Sequence, residues 1–341
     1  MAQQQQYGRV VIARFGGLEV LEIVREDLRQ ARPGEVRVRV QAAGVAWVEL
    51  MLRTGTYPGQ PKPPLTPGYD VVGVVDQRGA GATRFAEGDR VAALIVHGGY
   101  SEYVFVPEAE LVPVPAGLDP AEAVCLVLNY MTAYQMLHRV AQVEKGGRLL
   151  VHNAAGGVGT AVLDLGRLAG LDMLGTASTG KLALVEKLGA RPIDYRREDF
   201  VERTRALVPG GVDLVLDSIG GAHWLRSRRC LRRGGRLVAF GSQGVLAAGS
   251  SRLPATLAVY AAAAYLMALP LGGRRFTFYA ITAMKSKHPD WFREDLANLF
   301  RLLGEGQIHP LIAQRLPWTE AREANRLLEA GAVQGKLVLT F

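Results

Sequence analysis

The sequence predicts an α/β protein that combines a mostly β domain with a doubly wound parallel sheet. Two observations predict this fold class: the first third of the chain has the pattern of short strands joined by turns, and the next part alternates strands with helices. The chain has 341 residues, of which 49% are apolar and 21% charged. This length and composition are typical of a packed globular protein with two domains.

The mostly β part extends from Tyr7 to about Pro113. Residues 36–40 alternate apolar and polar side chains with a period of two, and residues 70–75 and 90–96 are short runs rich in β-branched side chains. Gly and Pro pairs such as Pro67-Gly68 separate these runs, which indicates turns rather than helix ends.

The alternating part begins at about Pro120. Its strands are predicted at residues 148–153, 172–177, 191–194, 212–217 and 236–240. Its helices are predicted at residues 158–169, 181–188, 199–207 and 222–232. One more strand at 276–280, helices at 289–304 and 319–330, and a closing strand at 336–340 complete the prediction. This regular succession indicates a Rossmann-type sheet.

Composition excludes several classes of protein. Cys125 and Cys230 are the two cysteines, and their spacing supports neither a disulfide framework nor a four-cysteine zinc site, which fits a reducing, cytoplasmic location. The first residues lack the pattern of a signal peptide. The longest apolar stretch, 255–269, is shorter than the roughly 20 residues of a membrane span, so a buried helix is expected. The net charge of +8 favours anionic ligands.

A glycine-rich turn follows the first strand of the alternating part. The turn contains Gly156, Gly157, Val158 and Gly159, with Ala154 in the place of the first glycine of the dinucleotide fingerprint. Small residues let the backbone approach a pyrophosphate, and the helix that follows presents its N-terminal N–H groups to the phosphate charge. Its position between a strand and a helix predicts a dinucleotide site; the alternative is a tight turn without a ligand.

The end of the second strand predicts which dinucleotide is bound. An enzyme that binds NAD usually has an acidic residue there, whereas this chain has Ser178, Thr179 and Lys181. Hydroxyls and an ammonium suit a 2′-phosphate, so NADPH is the predicted cofactor. Tyr195 and Arg196, after the third strand, are placed to cover the adenine and add charge. The alternative is that Ser178 and Thr179 cap the next helix.

No zinc site is predicted. A metal-dependent dehydrogenase needs Cys, His or carboxylate ligands, and the segment from Gly44 to Asp70 contains neither Cys nor His. The chain's six histidines show no paired ligand spacing, and each is expected at the surface or at a strand end. Catalysis is therefore predicted to proceed without a metal.

Motifs along the whole chain resemble the medium-chain dehydrogenase/reductase superfamily, in its zinc-independent quinone oxidoreductase branch. The motifs that carry this resemblance are residues 53–58, 87–91, 132–134, the turn at 154–159, residues 193–196 and residues 335–336. Residues 128–134 and 212–217 are most similar to the synaptic vesicle membrane protein homologs of that branch. The resemblance implies a GroES-like catalytic domain of residues 1–124 and 289–341, a Rossmann domain of residues 125–288, and a cofactor cleft where they join.

The resemblance also implies roles for individual residues. Ala46 and Tyr69 stand where zinc-dependent relatives have zinc ligands. Thr132 would contact the nicotinamide side, and Ser178, Lys181 and Tyr195 the adenosine phosphate. Further positions would line the nucleotide: Ser218, Gly241, Ser242, Phe278 and Lys336. The strand that begins at Phe276 and ends at Ala280 would pair two copies into a homodimer.

The expected reaction is hydride transfer to a quinone or to the activated C=C bond of an enone. Tyr57 and then Tyr69 are the predicted donors to the oxygen that becomes negative, because such donors lower the barrier in a dry cleft; either tyrosine could instead only pack. The segment that begins at Gly44 lacks an asparagine common in the branch and has Ala46 there. Two alternatives remain: a lipid- or membrane-binding protein, through residues 253–271, and an RNA-binding protein, through its basic surface.

Overall fold

The computed structural model describes residues 5–57, 59–242, 252–269 and 272–341, and these divide into two compact units. Unit 1 contains residues up to Asn129 together with 293–306 and 312–341, and unit 2 contains residues 130–292 and 307–311. The units divide a few residues away from the boundaries expected at 124–125 and 288–289. The chain enters unit 2 at Tyr130 and leaves it within helix Pro289–Gly304, and the short segment 307–311 belongs to unit 2 again.

Unit 1 is mostly β. Its strands are β1 (Gln6–Ile12), β2 (Leu21–Asp27), β3 (Glu35–Val45), β4 (Asp70–Arg78), β5 (Arg90–Leu94), β6 (Tyr103–Pro107), β7 (Val112–Pro113), β14 (Ile312–Pro317) and β15 (Lys336–Thr340). Seven of them form one sheet in the order β14-β15-β3-β4-β5-β7 with β6 also paired to β3, and β1 and β2 form a separate hairpin. The long strand β3 is central because its apolar side chains alternate along the strand and are buried at Val36, Val38 and Val40.

The helices of unit 1 include α1 (Trp47–Thr54), α2 (Pro120–Cys125) and α11 (Ala321–Glu329). Asp119 caps α2 by accepting the N–H groups of Ala121 and Glu122, and Pro120 occupies its first turn. Helix α1 follows β3 directly and ends at Gly55, whose φ of 72° is a left-handed conformation that glycine adopts without strain. Strand β3 and helix α1 together present residues 44–49 at one end of the sheet.

Unit 2 has a six-stranded parallel sheet. Its strands are β8 (Arg148–Val151), β9 (Asp172–Ala177), β10 (Arg191–Asp194), β11 (Val212–Asp217), β12 (Leu231–Ala239) and β13 (Arg275–Phe278), in the order β10-β9-β8-β11-β12-β13. Its helices are α3 (Met131–Tyr134), α4 (Gly157–Leu168), α5 (Leu182–Lys187), α6 (Phe200–Leu207), α7 (Ala222–Arg228), α8 (Arg252–Ala268) and α9 (Ile281–Lys287), and helix Pro289–Gly304 is α10. This architecture confirms the predicted fold class.

The end of helix α7 and the burial of the apolar stretch differ from the sequence prediction. Helix α7 ends at Arg228 rather than at residue 232, because strand pairing of Leu231 with Val212 extends β12 backwards. The apolar stretch forms α8, but the expectation of a buried helix holds for one side only: Ala263 and Leu266 are buried, whereas Tyr265 is 63% and Met267 55% exposed. Residues 270–271, the end of the segment 253–271 named for the lipid-binding alternative, lie outside the described residues. Within the described ranges, no helix combines the length and hydropathy needed to cross a membrane.

Candidate functional site

The glycine-rich turn of unit 2 joins the end of β8 to the start of α4. Gly156 is the N-cap residue of α4 and provides no side chain to cap the helix. A Cβ on Gly159 would lie 2.2 Å from the carbonyl oxygen of Asn153, so only glycine permits this close packing of helix against strand. The first-turn N–H groups of α4, at Gly157, Val158 and Gly159, receive no side-chain cap from the N-cap residue Gly156, and such groups suit an anion.

The residues that follow β9 form a second polar group. Ser178 provides no side-chain cap to the next helical turn, and the hydroxyl of Thr179 donates to Asp194 Oδ2 at 2.6 Å. The alternative that Ser178 and Thr179 cap this helix is therefore wrong. Lys181 is half-buried, and burial followed by the nearby Arg196 cation lowers its pKa.

Asp194 is a carboxylate that sequence reasoning did not place beside this group. It is buried at the end of β10, where it accepts the Thr179 hydroxyl and the N–H of Arg196 at 3.0 Å. The hydrogen bond from Thr179 holds the pKa of Asp194 below its usual range. Thr179 thus orients a carboxylate of the protein, and Ser178, Lys181 and Arg196 are the groups whose charge or hydroxyl suits an anion.

The ends of β11 and β12 lie very close together. A Cβ on Gly241 would be 3.1 Å from the Ser218 carbonyl oxygen, and one on Gly220 would be 2.8 Å from Ser242 Cα. Ser218 is buried, and its Oγ has no hydrogen-bond partner among the described residues. The structure therefore brings together Ser218, Gly241 and Ser242, three residues predicted to line the nucleotide.

The other predicted nucleotide residues of unit 2 occupy different elements. Thr132 is buried in α3, which packs against α4. Tyr195 follows β10 and is 52% exposed, so its ring is available to a ligand. Phe278 is half-buried at the end of the edge strand β13, with its ring 6.2 Å from the ring of Trp224. Their roles toward a nucleotide stay predictions.

A buried hydrogen-bond network lies at the carboxyl ends of the strands of unit 2. The sequence did not predict it. Ser227 Oγ is 2.5 Å from Asp217 Oδ2 and 3.0 Å from His152 Nε2, and His152 Nδ1 is 3.0 Å from Thr176 Oγ1. His223 Nδ1 is 2.7 Å from the same Asp217 oxygen. The network therefore joins the carboxyl ends of β8, β9 and β11, which are the strands that lead into the predicted nucleotide-binding turns.

Charge in this network is fixed by burial and hydrogen bonding. Burial lowers the pKa of His152 to about 3, so the ring is neutral at pH 7. Although burial opposes ionisation of Asp217, the hydrogen bond from His223 helps to lower its pKa to about 2. His152, Asp217 and His223 place potential metal-ligand atoms within 4.8 Å of one another. Ser227 Oγ already contacts all three, so a metal would have to displace this hydroxyl.

The predicted catalytic tyrosines of unit 1 are in contact. The hydroxyl oxygens of Tyr57 and Tyr69 are 2.9 Å apart, and their rings pack edge to face. Tyr69 is buried, whereas Tyr57 is half-buried. When Tyr69 donates within the pair, the hydroxyl proton of Tyr57 remains to donate to a third oxygen. The pair can therefore act as a two-step hydrogen-bond chain from the domain interior outward.

Glu49 anchors the segment that holds this pair. Its carboxyl oxygens accept the N–H of Ala46 at 2.7 Å and the N–H of Tyr69 at 3.1 Å, so it joins the start of α1 to the tyrosine loop. Complete burial, and then the charge of Asp70, raise the pKa of Glu49 to about 8. At pH 7 this carboxyl group is therefore mainly protonated.

Lys336 forms a buried ion pair. Its Nζ donates to Asp70 Oδ2 at 2.8 Å and to Asn129 Oδ1 at 3.4 Å, and the side chain is 2% exposed. A Cβ on Gly44 would be 2.3 Å from this Nζ, so the glycine leaves the space that the pair occupies. The ammonium thus neutralises a buried carboxylate of the protein, and the predicted nucleotide contact of Lys336 stays a prediction.

Comparisons with known proteins agree with this architecture. Residues 32–116 match the family described as alcohol dehydrogenase GroES-like domain, and residues 188–339 match the family described as zinc-binding dehydrogenase. The synaptic vesicle membrane protein VAT-1 homolog of Rattus norvegicus is 31% identical over 336 residues, covering 97% of this chain and 83% of the relative. The quinone oxidoreductase of Homo sapiens is 29% identical over 99% of both chains.

A solved structure gives the same result. Escherichia coli quinone oxidoreductase, crystallised with NADPH, superimposes with a TM-score of 0.85 at 28% identity, covering 98% of this chain and all of the other. Fold, motifs and relatives together define an oxidoreductase with a GroES-like and a Rossmann-type domain. The chain belongs to the medium-chain dehydrogenase/reductase superfamily, in its quinone oxidoreductase branch.

Proposed function

We propose that this protein is a zinc-independent reductase that uses NADPH to reduce a quinone or the activated C=C bond of an enone. The observation that carries the proposal is the Tyr57–Tyr69 hydroxyl pair, 2.9 Å apart, beside the helix start at Ala46. The resemblance implies that Tyr69 and Ala46 stand at the positions that hold zinc ligands in metal-dependent relatives. A hydroxyl donor would then stand where those enzymes place a Lewis acid.

The residues of unit 2 fit the phosphorylated cofactor. Gly157, Val158 and Gly159 offer uncapped N–H groups to a pyrophosphate, and Ser178 and Lys181 offer a hydroxyl and an ammonium to a 2′-phosphate. When bound, NADPH supplies a hydride to an electrophilic carbon of the acceptor. The relative crystallised with NADPH supports the assignment.

The protein's own contribution to the reaction is a hydrogen bond to the acceptor oxygen. Reduction of a quinone or enone leaves negative charge on that oxygen, and a donor held in place before the reaction stabilises it without reorganisation. Tyr57 donates to the acceptor while Tyr69 donates to Tyr57, and Glu49 fixes the backbone of Tyr69. This chain of donors distributes the developing charge over two hydroxyls.

The test is a panel of quinones, enones and aldehydes, followed by NADPH absorbance, with the Tyr57→Phe variant. We expect turnover of quinones or enones, and a loss of about tenfold or more in kcat in the variant, because one preorganised donor is removed. Tyr100→Phe is the matched control: its buried hydroxyl has no hydrogen-bond partner among the described residues, so turnover should not change. Unchanged turnover in Tyr57→Phe would exclude this tyrosine from the reaction.

We further propose that the protein forms a homodimer through β13. This strand is the last of the parallel sheet and has one strand neighbour, β12, in the described structure. An edge strand carries unpaired backbone groups that a second copy can satisfy. Light scattering should give twice the monomer mass, and Thr277→Pro, within β13, should give the monomer. A wild-type monomer at micromolar concentration would contradict the proposal.

Membrane association is a second candidate function. Tyr265 and Met267 are exposed, large apolar side chains of α8, and a relative is named a vesicle membrane protein. Apolar and aromatic side chains on a helix favour the interface of a lipid bilayer. Co-sedimentation with liposomes should fall in the Tyr265→Ser, Met267→Ser double variant. Equal recovery of both proteins in the lipid pellet would exclude α8 as the binding element.

A further inference from the structure

Arg228 is a buried cation without a counter-charge. It is the last residue of α7 and is 7% exposed, and its Nη2 is shielded from solvent without a hydrogen-bond partner. Within the described ranges, no carboxylate forms an ion pair with it. A guanidinium stays charged at any physiological pH, and a buried charge of this kind is costly unless it is paired. Arg228 therefore differs from most buried arginines, which are paired with a carboxylate or another anion.

A second guanidinium, that of Arg274, lies close enough to Arg228 for its charge to act on it. Burial and the nearby Arg274 guanidinium both lower the pKa of Arg228. Arg274 is half-buried, and its Nε donates to the carbonyl oxygen of Leu231 at 3.0 Å, which fixes the side chain near the start of β12. Two nearby guanidinium groups repel each other, and an anion that contacts both would remove this repulsion and accept a hydrogen bond from Arg228 Nη2.

A second pair of arginines lies on the last two strands of the parallel sheet. Arg236 and Arg275 are direct neighbours on the parallel strands β12 and β13. Burial and the charge of Arg275 lower the pKa of Arg236. Neither has an ion pair in the part of the chain that the structure describes. None of the four arginines has an ion pair within the described ranges.

These arginines lie away from the predicted nucleotide site. Strand pairing places Arg236 and Arg275 in one row with Leu149 and Leu214, at the amino end of the sheet. The glycine-rich turn follows β8 at the opposite, carboxyl end. The cation pair therefore needs an anion other than the phosphates of a dinucleotide bound at that turn.

We propose that Arg228 and Arg274 form a second anion site, which binds a phosphate group of a small ligand. Arginine suits this chemistry because its planar fork donates two parallel N–H bonds to a tetrahedral oxyanion. The row of Arg236 and Arg275 adds attraction for a ligand with more than one negative charge. Inorganic pyrophosphate carries this chemistry without a nucleoside and is the probe for the site.

The first experiment is calorimetric titration of the full-length protein with pyrophosphate. We expect saturable binding that becomes about tenfold or more weaker in Arg228→Met and in Arg274→Met, because a charge-assisted hydrogen bond contributes at least this factor. Arg203→Met is the matched control: it removes the same charge from an exposed ion pair with Glu198 in the same unit. The same affinity in the presence of saturating NADPH, which would occupy the glycine-rich turn, should separate this site from the nucleotide site.

The second experiment is thermal unfolding, in which the variant is expected to be more stable than the wild type. Without anions, Arg228→Met should raise Tm relative to the wild type, because it removes an unpaired buried charge while keeping an apolar chain of similar length. Pyrophosphate should raise the Tm of the wild type and leave that of Arg228→Met unchanged. A purely structural arginine would give a lower Tm in the variant in both buffers.

Several results would overturn the proposal. Equal pyrophosphate affinity in the wild type and both variants would show that these arginines bind nothing. Binding of heparin but not of pyrophosphate would show a diffuse polyanion surface instead. Loss of the dimer in Arg228→Met, without a change in pyrophosphate affinity, would show that a second copy of the chain supplies the counter-charge.

Discussion

The cofactor assignment predicts a selective defect in Lys181→Ala. The half-buried ammonium of Lys181 would contact a 2′-phosphate, and a hydrogen bond between charged groups contributes about 1.5–3 kcal/mol. Lys181 is also repelled by Arg196, so its removal relieves part of this loss in the free protein. We therefore expect the lower end of the range, which is a rise of about tenfold in the Kd for NADPH.

The assay is binding of NADPH and NADH, measured by nucleotide fluorescence on the wild type and the variant. NADH lacks the 2′-phosphate, so its Kd should change by less than about twofold. Arg203→Ala, which removes a surface cation paired with Glu198, should change neither value. An equal loss for both nucleotides in Lys181→Ala would refute the reasoning, because it would place the ammonium at a part shared by both molecules.

Two further predictions concern buried groups. The folded-state pKa of Glu49, about 8, lies above its usual value of 4.5, so the folded protein holds the extra proton and loses stability as pH rises between these values. Glu49→Gln should remove this loss of stability, which is on the order of 4 kcal/mol between pH 4.5 and 8. Urea unfolding of the wild type and the variant at both pH values measures it. The same pH dependence in both proteins would contradict the prediction. Ser227→Ala should cost about 2–4 kcal/mol, because it removes partners of Asp217 and His152 in the core; an unchanged urea midpoint would show that the network contributes nothing.

The sequence identified features that depend on neighbours along the chain. The turn at Gly156–Gly159 was predictable because a strand, small residues and a helix follow one another directly. The alternation of strands and helices likewise determined the parallel sheet and its class. Local patterns also located the end of β9, where Ser178 and Lys181 stand.

The sequence did not reveal groups assembled from distant segments. His152, Asp217 and Ser227 come from two strand ends and a helix, and no spacing connects them. Asp194 reaches Thr179 because β10 and β9 are neighbours in the sheet, which strand patterns alone do not specify. The sequence does not tell which side chains lie near Arg228, because this depends on how the helices and strands pack, so its unpaired charge was not predictable.

The central claim is that the two glycine- and hydroxyl-rich strand ends of unit 2 bind a dinucleotide with a 2′-phosphate. Calorimetry of the purified wild-type protein with NADPH and with NADH, in one buffer at one ionic strength, tests this claim most directly. We expect a Kd for NADPH at least about tenfold below that for NADH. Equal constants, or heat from neither nucleotide, would contradict it.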